Sequence, residues 1–217
     1  MRSLKPSVFK LCSCIVTKMK LRYILVTIVF MHFLVPVTSA GIDTPTQVVE
    51  KLHASLLIVM KEAEKLGYKG RYDLLNPVIN EVFDFPFIAR VVVGRYWDGF
   101  SDEEKAKFVE TFTRLSIATY ACRFDGYSGE RFEVVSSKAT RRGRIMVRSI
   151  LIKPKGDEIK LDYILHNNGN QWNIINIVAN GVSDLSLKRT DYTTFLKKEG
   201  FNNFIDKLNE KISCYSE

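Results

Sequence analysis

The sequence predicts an α+β fold: helices in the first half, a four-stranded twisted antiparallel sheet after them, and helices again at the C-terminus. Three observations predict it. From Thr44 to Phe124 apolar residues recur at helical spacing. From Arg131 to Asn180 four β-branched-rich runs follow one another through short loops, which only antiparallel pairing allows. After Ser183 the helical period returns.

Thr44 and Pro45 begin the first helix, in which Val48, Val49, Leu52, Leu56, Val59, Met60, Ala63 and Leu66 form one stripe and Gly67 is the stop. A second, short helix fits Tyr72 to Phe83, with Pro77 tolerable near a first turn or at a kink. The run from Phe83 to Gly94 is denser in apolar bulk than a surface segment. Pro86 suits a helical first turn there, and Gly94 its end. Ser101-Asp102-Glu103-Glu104 is a capping box, because the Ser101 hydroxyl and the Glu104 carboxylate each satisfy an orphan amide. The helix it starts runs to about Phe124, its stripe of Phe108, Phe112, Leu115 and Thr119 widened by Val109, Ile117, Tyr120 and Phe124.

Strands are expected over Arg131–Lys138 and Arg144–Lys153, separated by Arg141-Arg142-Gly143. Glu158–His166 alternates, with Ile159, Leu161, Tyr163 and Leu165 on one face and Lys160, Asp162 and His166 on the other. Asn167-Asn168-Gly169-Asn170 is a hairpin turn, and Gln171–Asn180 pairs back. Gly181-Val182-Ser183 ends the sheet. Helices over about 184–198 and 201–212 follow, divided by Gly200.

Residues 19–40 are expected to be an export signal within a leader of residues 1–40. Lys20 and Arg22 make a cationic start, Tyr23 to Val35 an apolar run, and Pro36 a break; Thr38 and Ala40 offer a small-residue cleavage site. The run of 13 residues falls short of the roughly 20 that cross a bilayer. Either Met1 or Met19 is the start. The chain of 217 residues has 32 Lys+Arg against 24 Asp+Glu, but six of the basic residues and no acid fall within residues 1–40. The remainder is 26 against 24, a net of +2. Near neutrality removes the case for nucleic acid as a partner. Residues 41–217 suit one domain. Cys122 and Cys214 remain after cleavage, as one helix thiol and one tail thiol or as a pair. No Cys/His spacing suits a metal, and no cofactor is implied.

Phe83-Asp84-Phe85, Val93-Gly94-Arg95-Tyr96-Trp97 and Phe100 to Glu104 resemble the MlaC, or toluene-tolerance auxiliary, family of periplasmic lipid-binding proteins. So, in order, do Phe108 to Phe112, Thr119-Tyr120, Leu161-Asp162-Tyr163, Trp172 to Ile177 and Gly181-Val182-Ser183. Tyr120 to Val134 is similar to its hopanoid-associated branch, HpnM. The resemblance implies an apolar cavity between sheet and helices. It also implies a shuttle that carries phospholipid or a hopanoid-type lipid between inner and outer membranes without covalent chemistry. As partners it implies an inner-membrane lipid transporter complex and an outer-membrane lipoprotein complex; the carrier itself is expected to be a monomer. Asn176 departs from the family's Asp.

A carrier must leave an apolar cleft unfilled by its own side chains. Candidate wall residues on the helices are Phe83, Phe87, Ile88, Val91, Val92, Trp97, Phe108, Phe112, Tyr120 and Phe124. Those on the strands are Ile150, Ile152, Tyr163, Trp172 and Ile174. Taken singly, each is an ordinary core residue; the resemblance makes the set a wall. Arg90, Arg95 and Arg123 are candidate phosphate partners at the mouth. A lipid-free envelope adaptor would instead fill the space. An enzyme would use His166 and Asp162, which share a strand face, but no nucleophile, metal cluster or phosphate loop accompanies them.

Overall fold

A computed structural model describes residues 43–169 and 171–216. The expected export signal and its two possible starts lie outside the described residues. Helix α1 (Pro45–Lys61) opens on a reciprocal cap: Thr44 Oγ1 accepts from Gln47 N at 3.3 Å and Gln47 Oε1 accepts from Thr44 N at 2.7 Å. Helix α2 (Ala63–Val82) follows at once and breaks at Gly67, whose φ of 58° and ψ of −174° are closed to other residues. It resumes directly, not at Tyr72 as the sequence suggests. Tyr68-Lys69-Gly70 has weak helix propensity, but Arg71 is buried and bonded to two other helical segments, so tertiary contacts decide. Pro77 sits inside this helix.

Helix α3 (Phe85–Val93) is capped by Asp84 Oδ1, which accepts from Phe87 N at 2.9 Å, and stops at Gly94 with φ 56°. A 3₁₀ turn (Gly94–Gly99) leads to α4 (Asp102–Arg123), which begins with the expected Ser101/Glu104 box. The sheet order is β1 (Arg131–Ala139), β2 (Ile145–Ile152), β3 (Glu158–Asn167), β4 (Trp172–Ala179) and β5 (Val182–Ser183), antiparallel throughout. The sheet therefore has five strands where four were expected. Asn180 (φ 49°) and Gly181 (φ 84°) form a two-residue turn that brings Val182 and Ser183 back onto β4. Helix α5 (Asp184–Ser216) bends at Gly200 (φ 75°), where the sequence divides it.

Helices α1, α2, α4 and α5 pack in succession, and α1 also lies on β1 and β4. Their shared core holds Val49, Leu52, Leu75, Ile79, Phe108, Leu165, Ile174 and Phe204. Among the described residues no helix is long and apolar enough to cross a membrane. Cys122 and Cys214 are both free thiols.

Candidate lipid cavity

The inner face of the sheet is set by pairing. Val147, Ser149 and Leu151 on β2 lie opposite Tyr163, Leu161 and Ile159 on β3, and Leu161 and Tyr163 lie opposite Ala179 and Ile177 on β4. Period-2 alternation puts all of these on one side. Between this face and the helices is a cavity of about 500 Å³. Phe132, Leu151, Ile159, Leu161, Tyr163, Ile175 and Ile177 form its floor. Leu56 of α1, Phe83, Phe85 and Ile88 around α3, and Phe112, Leu115, Tyr120 and Phe124 of α4 form its walls. Helix α5 closes it from both arms, with Leu185, Leu187 and Tyr192 on one and Tyr215 on the other.

Polar groups in the wall are mostly neutralised within the protein. Ser116 Oγ donates to the Phe112 carbonyl at 2.8 Å and Thr119 Oγ1 to the Leu115 carbonyl at 2.7 Å. Asn176 Oδ1 accepts from Ser183 Oγ and from Leu185 N, both at 3.2 Å, which ties the start of α5 to the sheet. An amide serves there, and no carboxylate role is needed. Charge is confined to the mouth, where Arg123, Asp184, Lys188, Asp191 and Lys211 gather. Lys188 pairs with Asp184. Leu187, 55% exposed, adds an apolar lip.

The model of the MlaC protein family matches residues 50–210. The chain belongs to the MlaC family. It is 27% identical over 177 residues to the toluene tolerance protein ttg2D of Pseudomonas putida, covering 79% of this chain and 81% of that one. It is 26% identical over 208 residues to the intermembrane phospholipid transport system binding protein MlaC of Haemophilus influenzae, covering 90% and 95%. Its fold matches a phospholipid-binding protein from Ralstonia solanacearum, solved in complex with a phospholipid. That match has a TM-score of 0.69 and 19% identity over 78% of this chain and 97% of that one.

Of the residues expected from the MlaC resemblance to form a wall, the structure brings Phe83, Ile88, Phe112, Tyr120, Phe124 and Tyr163 to the cavity. The others lie elsewhere. Val92, Phe108 and Ile174 are solid core, sealed behind the wall. Phe87 packs 4.7 Å from the His166 ring, under the Arg144 guanidinium. Val91, Trp97 and Trp172 are half-buried outside the cavity. Ile150 and Ile152 point to the opposite face of β2, since Leu151 between them faces inward. Arg123 stands at the mouth; Arg90 is exposed away from it, and Arg95 joins Arg189 and Lys197 in a separate surface depression.

Of the floor residues, Phe132, Leu151, Ile159, Leu161, Ile175 and Ile177 are not among those expected from the sequence. A bulge is responsible on β4: Ile164 pairs with Asn176 but Leu165 with Ile174, so Ile175 is the extra residue and inward parity switches across it. The His166–Asp162 pair does not form. His166 Nε2 lies 2.8 Å from Asp84 Oδ2, joining β3 to the cap of α3, and Asp162 is held by Arg148 at 2.8 and 3.3 Å. Among the described residues no cluster of His, Cys, Asp and Glu suits a metal.

His53 of α1 lies against two floor residues, 5% exposed, stacked 4.2 Å from Phe132 with Nε2 3.0 Å from the Tyr163 hydroxyl. Burial lowers it to about 4. The folded protein therefore binds fewer protons than the unfolded chain between the two values. Stability present above pH 6.5 is expected to fall as pH drops from there to about 4, by on the order of 3 kcal/mol. In His53→Gln that slope should vanish; chemical denaturation at pH 7 and pH 4.5 measures it, and an equal slope in both proteins rejects the assignment.

Proposed function

We propose that this protein is an exported, monomeric carrier that takes phospholipid acyl chains into the cavity and moves them across the periplasm between inner and outer membranes. The observation that carries this is the unfilled apolar space of about 500 Å³, within the size range of small-molecule sites, roughly 300–1,000 Å³. A soluble domain gains nothing by leaving such a wall unpacked unless a ligand covers it. Burying a chain of about sixteen carbons contributes on the order of 12 kcal/mol before ordering costs. No covalent step is required. Release follows when a docked partner shifts the cleft towards an open state. Membership of the MlaC family supports the reading, as do relatives named for phospholipid transport and phospholipid binding. On this reading an inner-membrane lipid transporter complex and an outer-membrane lipoprotein complex are the docking partners.

The test is organic extraction of the protein purified from its own envelope, followed by mass spectrometry. About one phospholipid per chain is expected. An extract empty of lipid would leave the adaptor role in its place, and a polycyclic triterpenoid instead of phospholipid would transfer the cargo to the hopanoid class.

A further inference from the structure

Three tyrosine hydroxyls in the cavity wall, those of Tyr120, Tyr192 and Tyr215, have no hydrogen-bond partner among the described residues, and burial pushes up the phenols of the first two. The Tyr163 hydroxyl meets His53, and Ser116, Thr119 and Asn176 are satisfied by neighbouring groups. Neither the Tyr120 nor the Tyr192 hydroxyl is sealed in the packing, so both open on the cavity they line. Their rings are held in place. Tyr120 stacks 5.8 Å from Phe124 and lies 6.0 Å from Phe83, while Tyr192 packs edge-on at 5.0 Å from Phe204 and 6.2 Å from Phe112. Burial pushes both phenols up, and the Asp184 carboxylate, close to each, adds to it. Both remain O–H donors at any physiological pH.

Their level in the cavity is informative. On α4, Tyr120 precedes the mouth residue Arg123 by one turn; on α5, Tyr192 follows the mouth residue Lys188 by one turn. The two donors thus stand close to the charged rim, Tyr192 directly after the mouth residue Asp191. Filling this level with hydrocarbon strips water from both hydroxyls and returns nothing. A ligand that carries acceptors where its chains meet its headgroup restores both bonds.

We propose that Tyr120 and Tyr192 form a polar subsite that donates hydrogen bonds to the ester carbonyl oxygens of an acyl lipid. The subsite rests on the lipid-carrier reading and narrows it to esterified glycerolipids, against ether lipids and triterpenoid hydrocarbons.

The test compares a diacyl phosphatidylethanolamine with its diether counterpart of the same chains and headgroup, which lacks both carbonyls. Delipidated wild type, Tyr120→Phe, Tyr192→Phe and the double variant are titrated with each. Wild type should prefer the diacyl lipid by roughly tenfold, from two modest hydrogen bonds. Each single variant should lose part of that preference and the double variant all of it, the diacyl affinity falling while the diether affinity rises, because phenylalanine has no hydroxyl to strip of water. Melting of the lipid-free variants should match wild type, because the hydroxyls hold no protein partner. Equal affinity for the two lipids in wild type overturns the subsite, as does a preference that survives the double substitution. Loss of melting temperature together with loss of both affinities assigns the hydroxyls to structure and overturns it equally. Binding of neither lipid overturns the carrier reading, and the subsite with it.

Discussion

Leu161→Trp is expected to empty the carrier while sparing its fold. Leu161 sits at the centre of the floor on β3, between Ser149 of β2 and Ala179 of β4. Those small neighbours leave lateral room for an indole, so the substitution fills void without displacing core. Each methylene of ligand it displaces removes about 0.8 kcal/mol, so the loss of four weakens binding more than about a hundredfold. The melting temperature of the lipid-free protein should hold or rise, because ring atoms replace empty space. Ile150→Trp, on the opposite face of the neighbouring strand, is the control and should bind as wild type does. Displacement of a fluorescent phospholipid reads both proteins. Undiminished binding by Leu161→Trp would mean that lipid sits elsewhere.

The element order was legible because local chemistry punctuates it. Gly67, Gly94 and Gly200 all break helices at positive φ, and Ser101 with Glu104 starts one. Asn180-Gly181 carries the same kind of signal for the fifth strand, but the sequence pattern ends the sheet at Gly181-Val182-Ser183, because two paired residues are too few to show an alternation. The cavity was harder to see, and Phe108 and Phe112 show why. They lie one turn apart on one stripe of α4, yet Phe108 is sealed against Phe204 of α5, 5.4 Å away, while Phe112 reaches the void. What separates core from wall is whether a distant element fills the facing space, and no local pattern encodes that. On the strands the difficulty is parity. Choosing Ile150 and Ile152 over Leu151 inverts the face of β2, and the Ile175 bulge inverts it within β4. Hydrophobicity alone favours neither choice.

Arg71→Met is expected to cost on the order of 3 kcal/mol of folding stability, because it removes a buried cation that completes two helix ends. Arg71 is 8% exposed; its Nε donates to the Ala121 carbonyl at 2.8 Å and its Nη1 to the Ala63 carbonyl at 3.1 Å. The Ala121 carbonyl is in the last turn of α4, where intrahelical amides run out, and the Ala63 carbonyl belongs to the short first segment of α2 before the break at Gly67. The guanidinium also stands at the negative end of the α4 dipole, which explains how it is tolerated here without a carboxylate. Methionine fills similar volume but strands both carbonyls. Lysine keeps the charge yet presents no planar fork to span them, so Arg71→Lys should recover only part of the loss. Urea unfolding of the three proteins gives the order wild type, Lys, Met; a methionine variant as stable as wild type would show that the two carbonyls find other donors. Because Ala121 adjoins Tyr120 and precedes Phe124 in the cavity wall, loosening this joint should also broaden the wall. Lipid affinity is then expected to fall less than stability does, which separates this substitution from Leu161→Trp.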